Sequence, residues 1–168
     1  TVALRKRFTD YNSFAQSTFD EIFTPEQLRG AVHRTAETFA SAYVENLGDG
    51  NFKMHDLPLE LQIAPLRSFA FLDMNPLGVT DVLAVGNFYG NQPNLGRSDA
   101  SYGHYLQRDT SGRFQVIAAA ESGFAVRGDA RDIAVLELEN RKRLIVVSKN
   151  DGDVEVFREE GAGNGEVK

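Results

Sequence analysis

The sequence predicts a mainly β fold: about two four-stranded, propeller-like blades plus a partial one, behind two short N-terminal helices. Three observations carry that reading. The first is a spacing of 62 residues. Tyr105 follows Tyr43, Gly112 follows Gly50 and Phe114 follows Phe52 at that interval, and the same offset lays Leu144-Ile145-Val146-Val147 on Val82-Leu83-Ala84-Val85. A fixed period means one supersecondary unit used more than once. The second is a change near Thr38 from helical to strand-like periodicity. The third is the set of Gly-containing turns between β-rich runs, where positive φ is accepted cheaply.

The helical part comes first. Tyr11, Phe14, Ala15, Thr18, Phe19 and Ile22 form the stripe of one amphipathic helix, with Thr9 or Asp10 as its cap. Thr24-Pro25-Glu26-Gln27 predicts a second start, with Thr as N-cap, Pro at the first helical position and Gln three residues on. Strands follow at 39–44 and 52–54 around Asp49-Gly50, then at 68–72 and 81–85. A hairpin of 102–107 and 113–117 turns at Asp109-Thr110-Ser111-Gly112, and strands at 133–138, 144–148 and 154–157 complete the series. The run Val82-Leu83-Ala84-Val85 is apolar without alternation, which predicts burial on both faces. The chain therefore divides into a helical segment 1–37, β repeats 38–158 and a Gly-rich charged tail 159–168 expected to fray. Four-stranded repeats are the blades of a propeller, and a closed propeller has roughly four to eight. Two units and a fraction leave three architectures open: part of a larger ring, an open pair of sheets capped by helices, or a piece closed by self-association through its sheet edges.

The bulk properties bound the function. The chain has 168 residues, a hydrophobic share of 42% and a charged share of 25%, the profile of a folded globular protein. A net charge of −6 argues against a nucleic-acid partner, whose phosphates call for a basic face. With no cysteine, disulfides, thiolate nucleophiles and Cys-ligated zinc are all excluded. No apolar run approaches the roughly 20 residues that span a bilayer as a helix, so no membrane insertion is expected. The chain starts Thr1-Val2 without Met, as a mature product or an excised segment would.

The stretches 39–52, Leu57-Pro58, 62–65 and Asp73-Met74-Asn75-Pro76-Leu77-Gly78-Val79-Thr80-Asp81 resemble FG-GAP/VCBS-type propeller repeats. The continuation through 85–90, 97–103 and 122–132 is similar to the C-terminal part of secreted ASPIC/UnbV or cartilage-acidic-protein-like proteins of Bacteroidetes. The resemblance covers about residues 39–157, and 4–31 resembles the helical insert of that group. It implies an exported protein, located outside the cell, in the periplasm or on the outer surface. It also implies a non-catalytic part in binding or surface assembly.

Four constellations are candidates for chemistry. Repeats of this kind carry a loop similar to an EF-hand, and here Asp73, Asn75 and Asp81 match its first, third and ninth positions, with Gly78 at the turn. Leu77 stands where a further acid belongs, so any Ca2+ affinity is reduced; the alternative is a β-turn with Asp73 bonded to backbone. No other cofactor is expected. Arg127-Gly128-Asp129 would serve adhesion only at an exposed loop tip, and it leads directly into a strand; the plainer reading is a strand-entry turn with Gly128 supplying a permissive φ. The long insertion 86–103 gathers the candidate ligand-binding residues Asn87, Tyr89, Arg97, Asp99 and Tyr102. Aromatics beside amides and a charged pair suit a protein or glycan partner; the alternative is a loop that bonds to itself and covers a sheet edge. Finally, Glu45, Asp49, Asp56 and Glu60 are the acids available for paired-carboxylate glycoside hydrolysis. The reading carried forward is a binding or assembly module presenting loop 86–103. A carbohydrate-active propeller enzyme and a purely structural ring-closing segment are the alternatives.

Overall fold

The computed structural model describes residues 2–73, 78–139 and 142–159. The chain divides into two compact units, the first ending at Phe39 and the second beginning at Ala40. The tail from 160 onward lies outside the described residues.

The first unit is built from short helices: α1 (Val2–Arg7), α2 (Tyr11–Gln16) and α3 (Phe19–Ile22). The single helix expected over 11–22 is broken in two. Asp10 caps α2, its carboxylate accepting from the Ser13 N–H at 2.8 Å. Ser17 then turns extended, its hydroxyl donating back to the Ser13 carbonyl at 2.8 Å. Thr18 and Glu21 close a capping box that starts α3 afresh. Side chains that bond locally to backbone compete with helix continuation, and here they win. The start expected at Thr24 forms its reciprocal bonds with Gln27 but runs only as turns, ending at Gly30 with φ +78°. None of the described side chains in α2 or α3 is buried.

The second unit is mainly β. Among the described residues it holds nine strands in three antiparallel sheets and no closed barrel. The first sheet pairs β1 (Ala42–Gly48) with β2 (Asn51–Asp56). The second runs in the order β3 (Leu66–Leu72), β4 (Asp81–Gly86), β5 (His104–Arg108), β6 (Phe114–Ile117). The third runs β7 (Ala130–Glu137), β8 (Arg143–Lys149), β9 (Glu155–Arg158). Asp49 and Gly50 both take positive φ, 52° and 78°, which makes the β1–β2 turn of the twist-matched hairpin kind. The other hairpin turn is held differently: the Asp109 carboxylate accepts from the Ser111 and Arg113 N–H groups at 2.8 and 3.0 Å.

The strand register sharpens the repeat. Val44 faces Met54, Glu45 faces Lys53 and Asn46 faces Phe52 in the first hairpin. Leu106 faces Val116, Gln107 faces Gln115 and Arg108 faces Phe114 in the second. Every partner is displaced by 62, so β1–β2 and β5–β6 are equivalent pair for pair. The inner strands drift from that spacing. The cross-strand row Ala70–Leu83–Tyr105 corresponds to Ala134–Val146–Val156, and the bulge at Arg67 corresponds to the bulge at Arg131. The Asn87 N–H bonds the Pro65 carbonyl as the Asn150 N–H bonds the Asp129 carbonyl. By structure, then, β4 maps onto β8 with a spacing of 63, and Leu144 does not stand where Val82 stands. Both runs are apolar at four successive positions, so a one-residue slip leaves no trace in the sequence although it exchanges the two faces.

β4 is buried along its whole length, as its unbroken apolar run predicts. One of its faces, with Ala70, Leu72 and Tyr105, packs on Ile133, Ile145 and Val147 of the third sheet, sealed by Phe124 and Val126. Val82 and Ala84 on the other face join Leu61 and Leu106, with Leu57, Phe114 and Val116 packed around them. Tyr43 of the first hairpin reaches this second layer, edge-on to Phe114 at 5.3 Å.

Candidate functional site

Loop 87–103 leaves the buried end of β4 and returns at β5, and a glycine shapes each end. A Cβ on Gly86 would lie 1.9 Å from the Pro65 carbonyl oxygen, so no larger residue fits there. Asn87, next in the chain, adopts φ +81° and is only 1% exposed. Its amide group is the knot of the loop. The nitrogen donates to the Ser101 and Gly128 carbonyls at 2.8 and 2.9 Å, and the oxygen accepts from the Ser101 N–H at 2.9 Å. Ser101 is buried too, its hydroxyl 3.1 Å from His104 Nε2. Burial pushes the His104 imidazole below its ordinary value.

Around this knot the loop closes on itself. Phe88 and Ser98 exchange backbone hydrogen bonds at 2.9 Å each. The Tyr89 hydroxyl donates to Asp99 at 2.5 Å, and the Arg97 guanidinium lies over the Tyr89 ring at 4.5 Å. The hydrogen bond to the Asp99 carboxylate, with burial second, raises the Tyr89 phenol above its ordinary value. Four of the five candidate residues are thus brought into one network. Tyr102 stands apart from it. Its carbonyl accepts from the Val126 N–H at 2.7 Å, while its ring, 54% exposed, carries Arg127 at 5.6 Å.

Beneath the loop lie residues that the sequence did not connect with it. The Asp129 side chain is fully buried; one oxygen accepts from Arg131 at 2.8 Å, and the other has no hydrogen-bond partner among the described residues. Asp129 of the Arg-Gly-Asp tripeptide therefore points inward and is bound, so the tripeptide is not displayed as adhesion requires. Gly128 takes φ +92°, the turn role expected of it. Arg67 and Arg131, the two equivalent bulge residues, both approach the Phe88 ring, at 4.7 and 5.9 Å. Only the register match of the two bulges identifies that pair, and it requires the fold.

The acids singled out elsewhere are placed as follows. Asp81 is fully buried, accepting from the Tyr105 hydroxyl at 2.7 Å and the Arg108 N–H at 3.3 Å. Burial, followed by that bond to Asp81, raises the Tyr105 phenol. Asp73 accepts from the Thr80 hydroxyl at 3.2 Å. Asn75 lies outside the described residues. No group of three or more His, Asp or Glu side chains is placed to hold a metal ion among the described residues. On the first hairpin, Glu45 pairs with His55 at 2.9 Å, and that imidazole stacks on Tyr43. Asp49 sits in the turn, Asp56 ends β2 and Glu60 lies in a single 3-10 turn over Leu59–Leu61.

No protein-family model matches the chain, and neither a curated protein nor a solved structure matches it.

Proposed function

We propose that the chain is a non-catalytic binding module of an exported repeat protein of FG-GAP/VCBS type. Its sheets act as propeller-like blades, and it presents loop 86–103 to a protein or glycan partner. The observation that carries this reading is the preorganisation of the loop. The buried Asn87 amide fixes both its ends, Tyr89, Arg97 and Asp99 brace one another, and the Tyr102 ring stays exposed beside Arg127. A loop already held in one conformation loses little entropy on binding, and exposed aromatic–arginine pairs dominate recognition surfaces. Of the acids available for hydrolysis, Glu45 is engaged with His55, which supports this reading over catalysis.

The test is a titration of the protein against soluble oligosaccharides and peptides, repeated with Tyr102→Ala. That change removes an exposed ring and leaves the Asn87 knot intact. A ligand should bind, and Tyr102→Ala should weaken it about tenfold while leaving the melting temperature within about 2 °C. Binding that is indifferent to Tyr102, or absent throughout, would remove the loop from the account. A calcium arm runs beside it: a Ca2+-dependent rise in melting temperature that Asp73→Ala abolishes supports a metal at the 73–81 loop.

A further inference from the structure

The β1–β2 sheet is half of the β3–β6 sheet. Its strands reproduce the β5–β6 pairs, so β1 stands where β5 stands and, among the described residues, is open along the edge where β5 carries β4. The register gives the positions. Val82, Leu83 and Ala84 of β4 face Leu106, Tyr105 and His104, and the counterparts of those three on β1 are Val44, Tyr43 and Ala42. Among the described residues β1 pairs only with β2.

Beside that edge lies a cavity of about 220 Å3 with Ala42, Tyr43, Leu61, Phe69, Phe71 and Leu106 in its wall. Phe69 and Phe71 are 44% and 69% exposed. Their register counterparts one layer on are Ile133 and Val135, which pack into the core formed with β3 and β4. The molecule thus displays, in its next layer, what belongs over these two rings: an apolar strand running beside the equivalent of β5. In the first layer no such strand stands beside β1 among the described residues.

We infer that the groove between the β1 edge and Phe69 and Phe71 is a strand-acceptor site. Its occupant is an extended apolar strand of the β4 kind belonging to a partner polypeptide. Backbone groups at the β1 edge supply the hydrogen bonds, as in β-strand addition to any open edge, and the alternating side chains of the incoming strand fill the cavity. The groove is continuous with the existing core of Leu61, Val82 and Leu106, so the added strand extends a packed layer. The inference stands on strand register and is independent of the recognition surface in loop 86–103.

The probe is a synthetic peptide with the sequence of residues 79–88 and lysines added at both ends for solubility. It is titrated against the whole chain by fluorescence anisotropy, with amide exchange followed in the complex. Saturable binding is expected, with exchange slowed at Ala42, Tyr43 and Val44. Phe71→Glu should weaken binding about tenfold or more by placing a carboxylate under the incoming strand. Phe52→Glu, on the opposite face of the hairpin, should leave binding unchanged. Both positions are exposed, and unaltered circular-dichroism melts would show that both variants fold; the exchange map of the unaltered chain stands as evidence without them. The inference is overturned if the peptide does not bind saturably, if protection appears at another strand edge, or if Phe71→Glu binds as tightly as the parent.

Discussion

The hairpins β1–β2 and β5–β6 share four equivalent cross-strand pairs and carry similar residues at matching places, yet they meet opposite fates. Leu106 is 2% exposed, while its counterpart Val44 is 61% exposed. Phe114 and Val116 pack into a core, while Phe52 and Met54 face outward. Nothing within either hairpin accounts for the difference. The second hairpin lies under Tyr43, Leu57 and Leu61, and the first has no such layer on its outer face among the described residues. An apolar face is a demand for a neighbour, and burial records whether that demand is met.

The largest expected effect extends the comparison to the inner strands. Leu83→Ala should cost about 2–5 kcal/mol by urea denaturation, because Leu83 sits fully buried between two layers. The register counterpart Val146 lies on the outer face of the third sheet, and Val146→Ala should cost about 1 kcal/mol or less. Equal costs at the two positions would break the face assignment.

That assignment also marks where sequence reading stops. The hairpins were legible because Asp49-Gly50 and 109–112 are short-range turn signals, and because Tyr43, Phe52 and their counterparts keep an unbroken spacing of 62. The inner strands were legible as strands but not in register, since an apolar run reads the same after a slip of one. The break between α2 and α3 was signalled by Thr18 and Glu21, which carry the residue types of a capping box, but the apolar stripe across them pointed the other way. In the site, Asn87, Tyr89, Arg97 and Asp99 were legible as a polar and aromatic cluster. Asp129 was legible only as part of a tripeptide and Arg131 not at all, because both reach the loop from about 40 residues away, Asp129 through the Tyr89 N–H and Arg131 through the Phe88 ring. The exposure of Phe69 and Phe71 was equally hidden, for it depends on which neighbours the fold brings, and both rings are exposed among the described residues.

A smaller effect separates two equivalent asparagines. Asn87→Ala should destabilise by about 2–4 kcal/mol, since it leaves buried partners unsatisfied and puts alanine at a left-handed φ. Asn150→Ala, at the exposed counterpart, should cost about 0.5 kcal/mol. Thermal melts of the two variants check the ordering, and a reversal would deny Asn87 its role as the knot.

The smallest effect distinguishes the hairpin turns by pH. Hydrogen bonds from the Ser111 hydroxyl and the Arg113 N–H hold the Asp109 carboxyl at about 2, below its ordinary 3.8. A lowered folded value means stability that is present above pH 3.8 and is lost as pH falls toward 2. Asp109→Asn should therefore flatten that part of the acid limb in a stability–pH profile. An unchanged profile would show that the turn does not depend on the carboxylate.

The most direct test of the layered account is a matched pair of truncations, Leu106→Ala and Val44→Ala, measured by denaturant unfolding of the whole chain. The account predicts a loss of about 2–5 kcal/mol for Leu106→Ala and no more than about 0.5 kcal/mol for Val44→Ala. Comparable losses at both positions would mean that the outer face of β1–β2 is already covered, and the claim that a neighbouring layer decides the fate of each hairpin would be wrong.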